Sequence, residues 1–338
     1  MKEKIAYAGI RILDKITEKH AKIFTRINLA FATLKDGKVI IKDEENIKYL
    51  EKIRKFNPNI KLVLSIGGAG AFGFSDMAMT KETRKIFLDS MLEVIKKYKL
   101  DGIDLDWEFP CADWGGDFSP KDKENFTTLL KEMRENLDSI GDKKYILSIA
   151  AGVGQWFIDT TEVSIYHKYL DDIMLMTYDL RGFGQEITGH HTALNTKKDD
   201  IFRMSARDGV KLLENQGVPK EKIVIGFAQY SRYWEGVENI NKGLLQKAKP
   251  NGGDYYFSYP ELNMEVIENP KFESFWDDEA KVPWSYSKDG IFVTYDNAKS
   301  VEEKAKFVLE ENLKGLMFWQ YVDWNENPLL EAMNKILS

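Results

Sequence analysis

The chain has 338 residues, with 48 Lys or Arg against 54 Asp or Glu, a formal net charge of −6. That balance, with no dense basic block, argues against a nucleic-acid partner, and no apolar run approaches the ~20 residues of a membrane span. One cysteine, Cys111, leaves no intrachain disulfide to form.

Short apolar runs alternate with helical patterns along the chain. Strands are expected at Lys4–Ala8, Ile27–Ala32, Lys61–Ile66, Gly102–Trp107, Tyr145–Ala150, Asp172–Thr177, Lys222–Phe227 and Gly315–Trp319. Most are nearly continuous in Val, Ile, Leu or Ala, as strands covered on both faces should be. Eight such strands separated by helices predict an α/β fold, a (β/α)8 TIM barrel. Helices are expected over Thr80–Tyr98, over Ser119–Leu137 with Ser119 as N-cap and Pro120 as first helical residue, and over Val301–Leu313. In the second of these, Phe126, Leu129, Leu130, Met133 and Leu137 fall on one helical stripe. The last two strand starts lie about 90 residues apart, where the others are about 25 to 50 apart, too long for a structureless loop. The excess is rich in aromatics, Tyr255, Tyr256, Phe257, Tyr259, Phe275, Trp276, Trp284 and Tyr286 among them. It reads as a small α+β insertion over residues 234–290, with the barrel over 1–233 and 291–338.

The run from Asp101 to Pro110, DGIDLDWEFP, carries the chemistry. On a strand, Asp104, Asp106 and Glu108 share one face, about 6.5 Å apart, with the apolar residues behind. Three carboxylates in a row on a buried face are costly in desolvation and mutual repulsion, so the row suggests proton chemistry with at least one raised pKa. A solvated edge strand is the plainer alternative, and a calcium loop is disfavoured by the Ile, Leu and Trp spacers. A barrel builds its site at the C-terminal ends of its strands. Glu108, Gly67 with Gly68, Tyr178 with Asp179, Tyr230 and Trp319 all fall at or just beyond those ends.

The same ten residues resemble the acidic strand D-G-x-D-x-D-x-E of glycoside hydrolase family 18, the chitinase family. Further motifs follow in the family's order. Ser65-Ile66-Gly67-Gly68 resembles S-x-G-G, Met176-Thr177-Tyr178-Asp179 resembles M-x-Y-D, and Gly226 to Arg232 resembles G-x-P-x-Y-G-R with Ala228 and Ser231 as departures. The resemblance implies retaining hydrolysis of β-1,4 links between N-acetylglucosamine units, the sugar's own 2-acetamido oxygen acting as nucleophile. It implies Glu108 as general acid and base, Asp106 and Asp104 as its supporting carboxylates sharing a proton, and Tyr178 as the group that orients the acetamido oxygen. It implies substrate contacts at Tyr7, Phe31, Gly67, Gly68, Trp107, Met176, Asp179, Tyr230, Arg232 and Trp319, with Trp276 and Trp284 in the insertion as possible groove residues. Ala69 stands where many relatives carry Trp, so a platform for the leaving-group sugar is expected to be missing.

No cofactor and no metal are expected. His190-His191 is read as a loop pair, since adjacent side chains seldom point at one ion, and the sequon at Asn125 is read as accidental inside a helix. The expected partner is chitin or a chito-oligosaccharide, with no nucleic acid, no membrane and a monomeric chain. The family suggests an extracellular protein, but Met1-Lys2-Glu3-Lys4 leads straight into a strand without a signal-like stretch, which keeps a cytoplasmic protein open. Two other activities remain open: an endo-β-N-acetylglucosaminidase acting on N-glycans, and a chitin-binding lectin, which the presence of Glu108 disfavours.

Overall fold

The computed structural model describes residues 2–113, 117–182, 184–250 and 252–338, apart from the side chains of residues 254–256; the expected aromatics Tyr255 and Tyr256 thus lie outside the described side chains. The barrel strands are β1 (Glu3–Gly9), β2 (Arg26–Lys35), β3 (Lys61–Gly67), β4 (Gly102–Asp106), β5 (Ile146–Ala151), β6 (Asp172–Leu175), β7 (Ile223–Ala228) and β8 (Gly315–Trp319). They run parallel in chain order, and β1 pairs with both β2 and β8, closing the barrel. Each apolar run expected to be a strand is one, with ends displaced by a residue or a few.

Alternation sorts the side chains. Ile103 and Leu105 of β4 turn outward to the helix layer with Phe126, Leu129, Leu130 and Met133, all essentially sealed from water. The interior splits by polarity. Ile5, Tyr7, Met174, Val224 and Met317 form an apolar wall from β1 and β6–β8, whereas β2–β6 point Arg26, Asn28, Ser65, Asp104, Ser148 and Asp172 inward, all buried. Gly102 is required where β4 meets β5, because a Cβ there would lie 2.1 Å from the Ile146 carbonyl oxygen.

Two helix starts differ from expectation. The helix after β4 spans Asp122–Ser139, and Ser119 is not its cap. The buried Asp122 carboxylate instead accepts the Ser119 N–H at 2.7 Å and the Ser75 hydroxyl at 2.7 Å, so 119–121 form a turn that leads into the helix. The helix before β8 spans Ala298–Glu310, starting earlier because Asn297 forms a reciprocal cap with Ser300.

Before that last helix, the segment between β7 and β8 forms a five-stranded sheet with short helical turns. In spatial order its strands are Asp254–Ser258, Tyr230–Trp234, Phe292–Thr294, Val282–Ser287 and Phe272–Asp277, all antiparallel. Its first strand follows β7 after Gln229 alone, so Tyr230 and Arg232 ride on the inserted sheet rather than on a loop. Trp284 is buried in this sheet's own core, stacked on Phe275 at 5.2 Å with its indole N–H donating to the Lys242 carbonyl. Trp276 donates to Asp278 and carries Lys299 over its ring. Trp284 therefore packs inside the insertion, which corrects the groove-lining expectation for that residue.

Candidate active site

The acid ladder stands inside the barrel. Asp104 is fully buried and accepts from three hydroxyls: Tyr7 at 2.8 Å, Ser65 at 2.8 Å and Ser148 at 2.5 Å. Two residues on, Asp106 is buried with only Glu108 as side-chain hydrogen-bond partner, and its Oδ1 meets no donor among the described residues. Its pKa is pushed well above the ordinary carboxylate value by burial first, then by Glu108 and Asp104. Glu108 lies past the end of β4, half-buried. Burial and then the Asp179 charge push its pKa up to about 7, against a hydrogen bond from Asp106 that lowers it. In this arrangement Asp106 is hydrogen-bonded to Glu108, while the three hydroxyls occupy both oxygens of Asp104.

Glu108 opens into a cavity of about 640 Å³, shared with Tyr178, Asp179, Met176, Ala69 and Gly70. Tyr178 is buried edge-on to Tyr230 at 6.2 Å. Burial, then Asp106 and Glu108, raise its pKa well above the ordinary phenol value, so its hydroxyl is a neutral donor. Asp179 has a left-handed backbone, φ 54°, and its Oδ1 accepts from Arg232 Nε at 2.7 Å, with His191 Nδ1 at 3.6 Å. Burial would raise this carboxyl, but His191 and Arg232 outweigh it and hold it well below the usual range. Tyr230 also bonds to Asp179. Arg232, whose motif departs from the family pattern at Ala228 and Ser231, is thus fixed to a cavity carboxylate.

Trp319 stacks on Phe31 at 5.2 Å and 19°, with the Tyr7 ring 6.0 Å away. With Tyr230 it lines a second cavity of about 220 Å³. The glycines are required by close protein contacts. A Cβ on Gly67, at φ 122°, would lie 2.0 Å from the Asp106 carbonyl oxygen, and one on Gly68, at φ 91°, would lie 2.6 Å from the Phe31 ring. They make room for protein, bringing the Gly68 N–H to the Asp106 carbonyl at 2.9 Å. Trp107 is a correction: alternation turns it away from the acids into the outer core, stacked on Phe74 at 5.4 Å and edge-on to Phe126 at 5.6 Å. It is not a substrate contact.

The sequence reading missed part of the cavity wall. Phe109, Trp156 and Gln185 line it. Trp156 meets Phe109 edge-on at 4.8 Å and lies across Gly152 and Gly154, where a Cβ would come within 2.5 Å and 2.9 Å of the indole. The signal was the Gly-x-Gly-x-Trp run directly after the fifth strand. His191, read as a loop residue, is buried beside Asp179 and 5.3 Å from the Tyr230 ring, while His190 reaches Asp277 of the insertion at 3.1 Å.

The sequence profile described as "Glycosyl hydrolases family 18" matches residues 5–322. Chitinase A1 of Niallia circulans is 34% identical over 81% of this chain and 42% of its own length, and the endochitinase of Manduca sexta is 30% identical over 88% and 57%. The chain therefore spans about half the length of these curated relatives. Among solved structures, a glycoside hydrolase family 18 N-acetylglucosaminidase from Paenibacillus barengoltzii superposes with a TM-score of 0.96 at 41% identity, covering 99% of both chains. The Group IV chitinase of Ostrinia furnacalis does so at 0.89 and 26%, covering 100% of both. With a closed parallel barrel, an inward ladder of acids and these likenesses together, the chain belongs to glycosyl hydrolases family 18.

Proposed function

We propose that this chain hydrolyses β-1,4-linked N-acetylglucosamine in chitin or chito-oligosaccharides with retention of configuration. The observation that carries this reading is Asp106, a buried carboxyl with one oxygen that meets no donor among the described residues, beside a Glu108 whose pKa is pushed up to about 7. Glu108 protonates the leaving glycosidic oxygen. The substrate's acetamido oxygen attacks the anomeric carbon, the glycosidic bond breaks, and an oxazolinium ion forms. Asp106 accepts the acetamide N–H and, as an anion, offsets the positive charge that develops there. The neutral Tyr178 hydroxyl orients the acetamido oxygen. Glu108 then takes a proton from water, which opens the ring from the same face and restores the acid. Trp319 offers a flat apolar face to the sugar ring, and a rigid indole does so with little entropy loss.

A second reading within the same chemistry is release of single N-acetylglucosamine units. Likeness to the Paenibacillus N-acetylglucosaminidase supports it, as does Ala69 where a leaving-side aromatic platform would stand. Products from chitohexaose, followed by time and anomer, separate the two: early chitobiose and longer oligomers support the chitinase, early monosaccharide supports the N-acetylglucosaminidase. An inverted anomer would contradict both.

A further inference from the structure

The wall of the larger cavity carries a polar side chain that the proposed chemistry does not use. Glu108, Tyr178 and Asp179 have their parts there, and Gln185 lines the same wall. Its orientation is fixed by the backbone. Oε1 accepts the Gly182 N–H at 3.2 Å, and only the carbonyl end of an amide can accept. Nε2 meets no acceptor among the described residues, so its two donors are left to the cavity. The segment around Gln185 is pinned to the inserted sheet. The Gln185 carbonyl accepts the indole N–H of the fully enclosed Trp234 at 2.7 Å, and the Gly184 N–H reaches the Gly252 carbonyl at 3.0 Å. Gly182 and Gly253 meet backbone to backbone: a Cβ on Gly253, at φ 81°, would lie 2.6 Å from Gly182 Cα. The insertion thus sets this amide in place before a sugar arrives, which removes the cost of ordering it on binding.

We infer that Gln185 selects an N-acetylated sugar on the leaving side by donating to that sugar's acetamido carbonyl oxygen. The inference rests on the reading of Glu108 as the acid, which makes the cavity it shares with Ala69 and Gly70 the leaving side. A sugar hydroxyl both donates and accepts, so an amide or a carboxylate would serve it equally. The acetamido carbonyl only accepts, and Gln185 presents only donors. Glucosamine at this position has an ammonium in place of the amide. It gives the Nε2 donors nothing to bond and leaves them unpaired, which is how a site built for one hydrogen-bonding group rejects an analogue without it. With Ala69 in place of a stacking ring, a directional polar contact gains weight in holding the leaving sugar. The selection acts on a different sugar from the one that reacts: Asp106 and Tyr178 address the amide that serves as nucleophile, and Gln185 addresses the amide across the scissile bond.

The test uses two trisaccharides that differ only in the sugar at the reducing end, N-acetylglucosamine in one and glucosamine in the other. Release of that sugar is followed by mass spectrometry in mildly acidic buffer, where the amine is an ammonium. Wild type is expected to favour the acetylated substrate in kcat/KM. In Gln185→Met that preference should fall about five- to ten-fold, the worth of one hydrogen bond. Gln185→Glu keeps an oxygen for the Gly182 N–H and turns a carboxylate into the cavity, so it should go further and favour glucosamine; should the Met variant not fold, this variant decides alone. Both substrates are cleaved by the same acid, so a change at Glu108 cancels in the ratio. Dissociation constants of the two trisaccharides, measured by calorimetry in the Glu108→Gln background, should shift in the same sense without turnover. Ratios unchanged from wild type would overturn the inference and leave the hydrolytic reading standing. A wild type that cleaves neither trisaccharide would instead count against the hydrolytic reading, and the calorimetric ratio would still decide on Gln185.

Discussion

Asp106 ends β4 and Asp179 follows β6 at the mouth of the same barrel, and their surroundings drive them in opposite directions. Asp106 is closed in with Glu108 and Asp104, so burial and like charge push its pKa well up. Asp179 opens into the cavity and is gripped by His191 and Arg232, which hold its carboxyl well down despite the desolvation it suffers. The same side chain is a proton carrier in one place and a fixed anion in the other. Partners, not burial, decide between the two roles. Both act on Glu108: Asp179 raises its pKa as a charge and Asp106 lowers it as a hydrogen-bond donor.

The strongest way to break this picture is at the residue both aspartates address. Glu108→Gln should lower kcat by about 10²- to 10⁴-fold while leaving affinity for a chito-oligosaccharide within a few-fold; normal turnover would remove the acid from the account. For the wild type, kcat/KM should fall as pH rises through about 7, where Glu108 gives up the proton it must donate. A flat profile to well above that pH would show that the limb belongs to another group.

Arg232→Leu sharpens the contrast, since it strips Asp179 of its cation and leaves Asp106 untouched. Arg232 is almost wholly buried, but Asp179 is one-third exposed (side chains 4% and 33%), so the loss in unfolding free energy should be about 2 kcal/mol, below that of a sealed pair. The sign with pH follows from a depressed carboxyl. Its stabilising contribution is present above the ordinary Asp value of about 3.9 and is lost as pH falls. Denaturant midpoints for wild type and variant should therefore differ at neutral pH and converge in acid. Divergence in acid would contradict the Arg232–Asp179 assignment. The smallest effect expected is that of Trp156→Ala, which removes an aromatic wall near Ala69. It should raise KM about three- to ten-fold with kcat nearly unchanged, in keeping with about 1 kcal/mol for an aromatic contact. A loss confined to kcat would place Trp156 in the chemistry instead.

The barrel could be read from the chain because strands covered on both faces must be continuously apolar, and eight such runs leave little choice of fold. The acid ladder was legible for the same geometric reason, since period-two alternation puts Asp104, Asp106 and Glu108 on one face whatever lies around it. That rule also excluded Trp107 from the cleft, a consequence that motif likeness obscured. What stayed hidden depends on contacts between distant segments. Ser119 reads as a cap until Asp122 takes its N–H; Trp284 reads as a groove residue until the inserted sheet closes on Phe275. Arg26 and Asp172 look like ordinary strand ends, and only barrel closure brings them under Asp104.

The central claim is that the sugar's own amide does the work of an enzyme nucleophile, with the ladder arranged around it. It is tested most directly by the rate of aglycone release from paired fluorogenic disaccharides that differ only in the reacting sugar, one bearing the 2-acetamido group and the other a 2-hydroxyl. Release from the first and none from the second, with the second still binding as a competitive inhibitor, is the predicted result. Comparable release from both would contradict it.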